Sequence, residues 1–431
     1  MRFTKANQGL MIGWAQDRIL RSTGSIGIRR TKPLKTVLLA AGLPSTSLKR
    51  GTPLKQGVNE NCARFGRILF SALAGLMLAL ARQPVCAQSE GGQSFSRQAM
   101  LGDLARNCIV PGYQRLAAKC RELTNAIGQL AAAPGQEAFE KALEAWVGAS
   151  LAASAVRCVE VGPMSQPEYG PNFYFFQIMP NAIENKIGSS NAIDESLVEE
   201  MGATTKALFA MEYLLYGSTG GPNAPAGRVE PARERLLAPE AGRRRQYLMV
   251  LAKDLEAKAE ELAKHWAAPG KEGASAKFVE GGQQSLNQLV NGVAEALEDV
   301  AYRHIHFALG LAKPLEGQIY RLERSPSGTS LENLVAILQS AHKLYRNSAG
   351  FGLADAVREV NGPVAAALET HFEQALAATR AMGVPLDKAI LDKRAAVEAA
   401  YEKDHTLEVK FKVDLVSALG VTLTFSSADG D

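Results

Sequence analysis

The sequence predicts an all-α protein built from two helical-bundle domains packed against each other. Apolar residues recur three and four apart through most of the chain, and stretches rich in Gly and Pro separate these periodic segments. Strand-like alternation is confined to parts of residues 156–178. The 344 residues that follow residue 87 exceed a single typical core, so we expect two domains.

The amino-terminal segment is typical of an export precursor. Basic residues precede an apolar run at 68–81, and small residues flank a cleavage position after Ala87. A membrane span needs roughly 20 apolar residues, but this run has 14 before Arg82. We predict a basic extension and signal start at 1–67, either disordered or an over-long gene start, and the rest of the signal peptide at 68–87. The mature protein is then periplasmic and not integral to the membrane.

The mature part is acidic, although the whole chain has a formal net charge of +4. The first 87 residues contain 14 basic and 2 acidic residues, which leaves 34 basic and 42 acidic residues and a net charge of −8. The basic balance of the whole chain therefore does not indicate a nucleic-acid partner, and we predict none.

Three of the five cysteines follow the signal. If residues 102–132 and 136–158 form an antiparallel helical hairpin, Cys108 and Cys158 lie nearly level. An oxidising compartment permits a disulfide there. The sequence thus allows a bridge between Cys108 and Cys158, with small buried core residues as the alternative.

A Gly- and Pro-rich stretch at 219–232 divides the helical part. It predicts a linker between a first bundle at 97–218 and a second bundle at 233–431. The clearest amphipathic helix lies in the second part, where one stripe is apolar and the opposite side is charged. That stripe consists of Leu248, Leu251, Leu255, Leu262 and Trp266.

The predicted helix at 207–216 is chemically unusual because Glu212 is its only charge. Its neighbours one turn away are apolar or aromatic, so the carboxylate is removed from water if this helix is central. Such a carboxylate must be paired, hydrogen-bonded, bound to a metal or protonated. The residues alone leave open a metal or ligand site and a purely structural carboxylate. No histidines have the spacing of a zinc peptidase motif.

Residues 205–217, TKALFAMEYLLYG, resemble the signature helix of the imelysin family of bacterial periplasmic and envelope proteins. VEVGPM at 159–164, LERSPSGTSLENL at 322–334 and the terminal ALGVTLTFSSADGD at 418–431 agree in order and spacing. The resemblance covers residues 97–431. It implies two α-helical bundles with a site between them and a link to iron.

Some members of the family are described as metallopeptidases with a GxHxxE metal motif. Here that motif reads Ala207-x-Phe209-x-x-Glu212, so the glycine and the metal-binding histidine are replaced. The family's usual Trp-Pro-Asp before this helix ends instead in Asn181. A catalytic zinc usually needs three protein ligands and an open position, so the resemblance does not imply peptidase activity for this chain.

We therefore predict an exported imelysin-like protein that acts as a binding or accessory component in iron or other metal acquisition, without peptidase activity. The alternatives are a metal-dependent periplasmic peptidase and an envelope adaptor in which Glu212 is structural. The cofactor is not determined, and iron or another divalent metal ion is the candidate. The expected partners are a metal or small ligand and an envelope transport protein or receptor. Glu212 is the candidate metal ligand, and the candidate pocket residues are Phe209, Tyr213, Asn181 and Glu323, with Tyr174 and Tyr216 as further helpers.

Overall fold

The computed structural model describes residues 95–220, 231–310 and 321–424, and these ranges are helical with no strand. The predicted all-α class is confirmed. The predicted extension at 1–67 and signal at 68–87 lie outside the described residues, as does most of the predicted linker. Every described residue belongs to one compact unit, which spans Gly91–Asp431.

The α-helices are numbered in chain order. They are α1 (Arg97–Leu104), α2 (Val110–Ala132), α3 (Gln136–Ser154), α4 (Gly170–Tyr174), α5 (Pro180–Gly188), α6 (Glu195–Glu199), α7 (Ala207–Tyr216), α8 (Ala232–Leu237), α9 (Gly242–Ala267), α10 (Ala274–Glu280), α11 (Gln283–Glu298), α12 (Phe307–Gly310), α13 (Ser330–Arg346), α14 (Leu353–Val360), α15 (Gly362–Ala381), α16 (Leu386–Asp392), α17 (Arg394–Lys410) and α18 (Val416–Leu419). π-helical segments join α1 to α2 (Ala105–Ile109), α11 to α12 (Asp299–His306) and α17 to α18 (Phe411–Leu415).

Local sequence explains several helix boundaries. The Ser96 hydroxyl accepts a hydrogen bond from Ala99 N at 3.0 Å and caps α1. The Asn361 side chain caps α15 in the same way by accepting from Val364 N. The predicted apolar stripe of α9 is buried along its whole length. The amphipathic pattern therefore correctly indicated which face of α9 contacts the core.

Helices α2, α3, α7 and α9 pack together in the amino-terminal part of the described fold. Thr124 Oγ1 on α2 donates to the carbonyl of Ala252 on α9 at 3.2 Å. Trp146 Nε1 on α3 donates to the carbonyl of Leu208 on α7 at 2.9 Å. Helix α9 thus packs with helices that precede the predicted linker. The division into bundles at 97–218 and 233–431 stays a prediction.

Helices α13, α15 and α17 form the other main layer. Tyr345 on α13 stacks near Phe372 on α15, and its hydroxyl donates to the carbonyl of Ala365 at 2.6 Å. Ser154 at the end of α3 donates to Asn333 Oδ1 on α13 at 2.7 Å. This buried polar contact fixes the start of α13, and the loop before it, against α3.

The predicted disulfide between Cys108 and Cys158 is not formed, and both residues are free buried thiols. The prediction assumed a helix that continues to Cys158, but α3 ends at Ser154 and the chain turns into a short 3₁₀ segment. Cys158 Sγ donates to the carbonyl of Ile337 and Cys108 Sγ to that of Lys343. Six residues of α13 separate these two contacts, which corresponds to about 9 Å along the helix axis.

None of the helices in the three described ranges combines the length and the apolar character needed to cross a lipid bilayer.

Candidate functional site

A cavity of about 820 Å³ lies beside α7. Residues 174–180, 217–220 and 321–326 and the π-helical segment before α12 form most of the remaining lining, together with Arg157 and Thr204. Its volume is that of a typical small-molecule site. Its aromatic lining residues are Tyr174, Phe175, Phe176, Phe209, Tyr213 and Phe307. Its charged lining residues, apart from His304, are Arg157, Arg303, Arg321, Arg324, Glu212, Asp299 and Glu323.

Helix α7 begins with a strained residue. Ala207 has φ +76°, in the left-handed region that a residue with a Cβ avoids at a cost of about 1 to 2 kcal/mol. Glycine adopts this region without that cost. The glycine of the family motif therefore matches a backbone requirement at the start of this helix, which alanine meets here under strain.

We expect Ala207→Gly to be tolerated better than Ala210→Gly by about 1 to 2 kcal/mol of unfolding free energy. Both alanines are buried in α7, so both changes remove an equally buried methyl group. Only the change at Ala207 relieves backbone strain. Urea denaturation of the two variants measures the difference, and equal destabilisation would show that Ala207 is not strained.

Glu212 is buried in the middle of α7, with 4% of its surface exposed. Its Oε1 accepts a hydrogen bond from the backbone N–H of Ser327 at 3.1 Å. Burial raises its pKa to about 7, although the Ser327 hydrogen bond and the charge of Arg324 act in the opposite direction. The carboxyl group at the cavity wall therefore changes between its protonated and ionised forms near neutral pH.

We expect Glu212→Gln to change the pH dependence of stability. Because the folded pKa lies above the unfolded value, the folded state binds more protons between about pH 4.5 and 7, so the wild type loses stability as pH rises through that window. Relative to the wild type, the variant should gain about 2 to 3 kcal/mol between pH 5 and pH 8. Chemical denaturation at both pH values tests this. The exposed Glu234→Gln should change stability by less than about 0.5 kcal/mol at either pH.

Arg324 anchors the loop between the cavity and α13. It is 2% exposed, and its guanidinium donates to Ser154 Oγ at 2.9 Å and to both the hydroxyl and the carbonyl of Ser150 on α3. The same guanidinium lies 5.6 Å from the ring centroid of Phe209. The side chain at the position of the family's histidine thus makes a cation–π contact.

The other two acidic residues of the cavity are held in ion pairs. Asp299 pairs with Arg157, and Arg303 Nη1 lies 2.6 Å from Asp299 Oδ1. Glu323 Oε1 lies 3.2 Å from Arg324 Nε, and its Oε2 lies 3.4 Å from His304 Nε2. Both carboxylates are therefore already neutralised by basic side chains.

Of the remaining residues predicted from the sequence, some line the cavity and others lie outside it. Tyr213 lines the cavity, but its hydroxyl donates to Glu184 Oε1 at 2.5 Å. Tyr174 lines the cavity beneath the guanidinium of Arg157, at 4.5 Å. Tyr216 lies outside the lining and donates to a carbonyl of α3. Asn181 was predicted wrongly as a pocket residue: it is exposed on the first turn of α5, where the helix directs the adjacent Pro180 to the cavity instead.

Glu184 ties α5 to the carboxyl-terminal side of α7. Against the opposing effect of burial, hydrogen bonds from Arg244 and Tyr213 and a further bond from Arg235 lower its pKa to about 2. This ionised carboxylate with two arginines holds the tyrosine of α7 in place. Its contacts support a structural role behind the cavity.

The residues present do not fit the metal site that the family motif implies. In the described ranges, no three His, Cys, Asp or Glu side chains converge as metal ligands. Phe209 has no ligating atom, and the guanidinium beside it repels a bare cation. A catalytic zinc requires about three protein ligands.

The sequence pattern did not indicate the arginines of the cavity. Arg157 lies more than 140 residues before Arg303 and Arg324, and these two arginines belong to different segments. The sequence offered one local signal, since Asp299 and Arg303 are four residues apart and can form an ion pair on one face of a helix. The meeting of these side chains depends on tertiary packing.

The fold and cavity define an all-α protein with a cleft of small-molecule size beside one buried helix. The chain belongs to the imelysin family, since the family model Peptidase_M75, Imelysin, matches residues 109–409. No match was found among curated proteins.

Two solved structures share the fold. One is a protein from Parabacteroides distasonis ATCC 8503, provisionally named an iron-regulated protein A precursor, with a TM-score of 0.63 and 16% identity over 77% of this chain and 97% of that one. The other is an imelysin-like protein from Psychrobacter arcticum 273-4, with a TM-score of 0.61 and 18% identity over 77% of this chain and 99% of that one.

Proposed function

We propose that this imelysin-family protein is an exported, periplasmic binding component in an iron-related process and that it is not a peptidase. Membership of the imelysin family and the name of the Parabacteroides relative support the iron link. The apolar run and cleavage position before residue 88 support export.

The cavity beside α7 is the main support for the binding role. It combines ligand-sized volume, aromatic walls and a few charged groups, which is the usual make-up of a small-molecule site. Part of its lining comes from two segments that carry the family resemblance, 205–217 and 322–334. The Phe209–Arg324 contact at the motif's histidine position argues against zinc-dependent hydrolysis.

Growth of a source strain that lacks the gene tests the iron-related role. We expect slower growth than the parent strain only under iron restriction, with full restoration by the wild-type gene. Thr204→Trp places a large side chain in the cavity lining and should not restore growth. Thr370→Trp, at an exposed position of α15, is the matched control and should restore it.

Two outcomes would overturn the proposal. Equal growth of the deletion strain and the parent under iron restriction would remove the iron-related role. Full restoration by folded Thr204→Trp would mean that the role does not depend on the cavity. That result is expected of an envelope adaptor in which Glu212 is only structural. Separately, digestion of casein by the purified full chain that a chelator abolishes would re-establish the peptidase alternative.

A further inference from the structure

We propose that a second cavity, along one face of α13, binds a small amphiphile that carries an anionic head group on an aliphatic chain. We call it the α13 cavity. Its lining comes from residues within 108–115, 151–159 and 331–344, with Arg380 at the end of α15. It shares no described lining residue with the cavity beside α7. The inference therefore goes beyond the proposed function and does not depend on it.

The α13 cavity is long and has the size of a ligand site. Its volume is about 690 Å³, and small-molecule sites commonly measure about 300 to 1,000 Å³. Leu331 and Leu344 mark the two ends of its α13 wall. At about 1.5 Å per residue, this wall is about 20 Å long. A cavity of this shape suits an extended chain.

The wall opposite α13 departs from a regular α-helix. Cys108 and Ile109 line the cavity from the π-helical segment Ala105–Ile109, which leads into α2. π-helical turns are rare and occur frequently at functional sites, and another such segment lines the cavity beside α7. Gly112 follows, and a Cβ there would lie 3.1 Å from Val156 Cγ1. Glycine therefore allows α2 to approach residue 156 at the cavity wall.

The apolar part of the lining is aliphatic, and no described lining residue is aromatic. Its larger members are Ile109, Leu151, Val156, Leu331, Val335 and Leu344. Leu151, Leu331 and Val335 are only half-buried, so a ligand can cover them further. Aromatic walls favour planar rings through edge-to-face or offset contacts. The aliphatic lining offers no such contacts and instead suits a flexible hydrocarbon chain.

Basic side chains from three helices surround this aliphatic surface. They are Arg115 on α2, Lys343 on α13 and Arg380 on α15. Within the described ranges, none of the three forms an ion pair, and Glu332 is the one carboxylate among the described lining residues. Three basic groups against one carboxylate leave a surplus of two positive charges. An apolar cleft focuses the potential of such charges, so the cavity attracts anions.

The charge of Lys343 reaches the cavity wall. Burial raises the pKa of the Cys108 thiol, and the positive charge of Lys343 opposes that rise. Cys108 itself lines the cavity and is buried. An anionic head group near Lys343 can therefore form a charge-assisted hydrogen bond while its chain covers the aliphatic wall.

The position of the apolar residues favours a single amphiphile over a membrane surface. Proteins that lie on a membrane bury exposed apolar side chains in the lipid. The exposed large hydrophobic residues of the described ranges all lie outside the α13 cavity, and they are Met179, Val360, Leu391, Val409 and Val413. The apolar surface of the α13 cavity is recessed, so the chain of a free amphiphile has to enter it.

Two amphiphiles of opposite charge test the role of the basic side chains. Decanoate is anionic, and decyltrimethylammonium carries a similar aliphatic chain on a cationic head group. By isothermal titration calorimetry of the purified full chain, below the micelle concentration of each amphiphile, we expect about one equivalent of decanoate to bind. Its affinity should exceed that of decyltrimethylammonium by at least about tenfold, as one charge-assisted hydrogen bond provides.

Charge reversal and cavity filling provide matched comparisons. Lys343→Glu, at an exposed position of the lining, should weaken decanoate binding by about tenfold or more. Lys388→Glu changes an exposed lysine of α16 outside the lining and should leave the affinity within about twofold. Ala336→Trp fills the α13 cavity and should also weaken binding, whereas Thr204→Trp fills the cavity beside α7 and should not. Far-ultraviolet circular dichroism confirms that each variant is folded.

Several results would overturn the inference. They are no binding of decanoate, equal affinity for the two amphiphiles, and an unchanged decanoate affinity in folded Lys343→Glu. Loss of decanoate binding in Thr204→Trp would place the amphiphile in the cavity beside α7 and would contradict the inference too. Sedimentation with phosphatidylglycerol vesicles tests the membrane alternative. Cosedimentation of the wild type that Lys343→Glu abolishes would show that the basic side chains serve a lipid surface instead.

Discussion

Arg324→Met should lower the free energy of unfolding by about 3 to 5 kcal/mol, because a buried charge network loses one of its members. The change leaves the Ser150 carbonyl without the arginine donor and removes the charge beside Glu323. Methionine fills much of the same volume, so the loss reflects polar contacts more than a cavity. Urea denaturation at pH 7 measures it.

The matched control is Arg233→Met, at an exposed position of α8, where a change within about 0.5 kcal/mol is expected. Arg324 also lowers the pKa of Glu212. Its removal should therefore raise that pKa further and extend the pH window in which the folded state binds an extra proton. A loss below about 1 kcal/mol, with no change in the pH profile, would show that the network is dispensable.

Asp404→Asn should have a comparable effect that depends on pH. Asp404 on α17 is 1% exposed, and its Oδ2 accepts a hydrogen bond from Thr379 Oγ1 on α15 at 2.8 Å. Burial raises its pKa to about 8, although the Thr379 hydrogen bond acts in the opposite direction. The folded state thus holds a proton that the unfolded chain releases near pH 4, so stability falls as pH rises from about 4 to 8.

The variant should therefore gain about 3 to 5 kcal/mol relative to the wild type between pH 5 and pH 9. Asparagine keeps an acceptor for the Thr379 hydroxyl, and it carries no charge at either pH. Thermal or chemical unfolding at both pH values provides the comparison. Asp392→Asn, at an exposed position of α16, should show a change below about 0.5 kcal/mol at each pH. A stability difference that is the same at both pH values would contradict the raised pKa.

Sequence patterns correctly predicted those features that depend on interactions between residues close together in the chain. The apolar stripe of α9 indicated its buried face, and the single charge of 207–216 indicated a buried carboxylate. The break between the two hairpin helices predicted at 102–132 and 136–158 separates α2 from α3, because proline and glycine there end the helical pattern. These features arise from residues within a few turns of each other.

The rest depends on contacts between distant segments. Arg157 meets Asp299 across 142 residues, and Arg324 meets Ser150 across 174 residues. Nothing in the spacing of a single sequence shows which charged residues will share a cavity. The wrong prediction for Cys158 illustrates the same limit. The end of α3 determines the position of Cys158, and the helical pattern alone did not locate that end.

The three buried thiols make correct folding depend on whether it is complete before disulfides form. Burial raises the pKa of Cys108 and raises those of Cys120 and Cys158 to about 12, so these three thiols are almost entirely protonated in the folded state and resist oxidation. Before folding, the same three cysteines are accessible, and a disulfide between two of them would have to be reduced to give the free buried thiols of the folded structure. In an oxidising compartment, folding therefore competes with disulfide formation. The refolding yield should fall when oxidant is present from the start and stay constant when it is added afterwards.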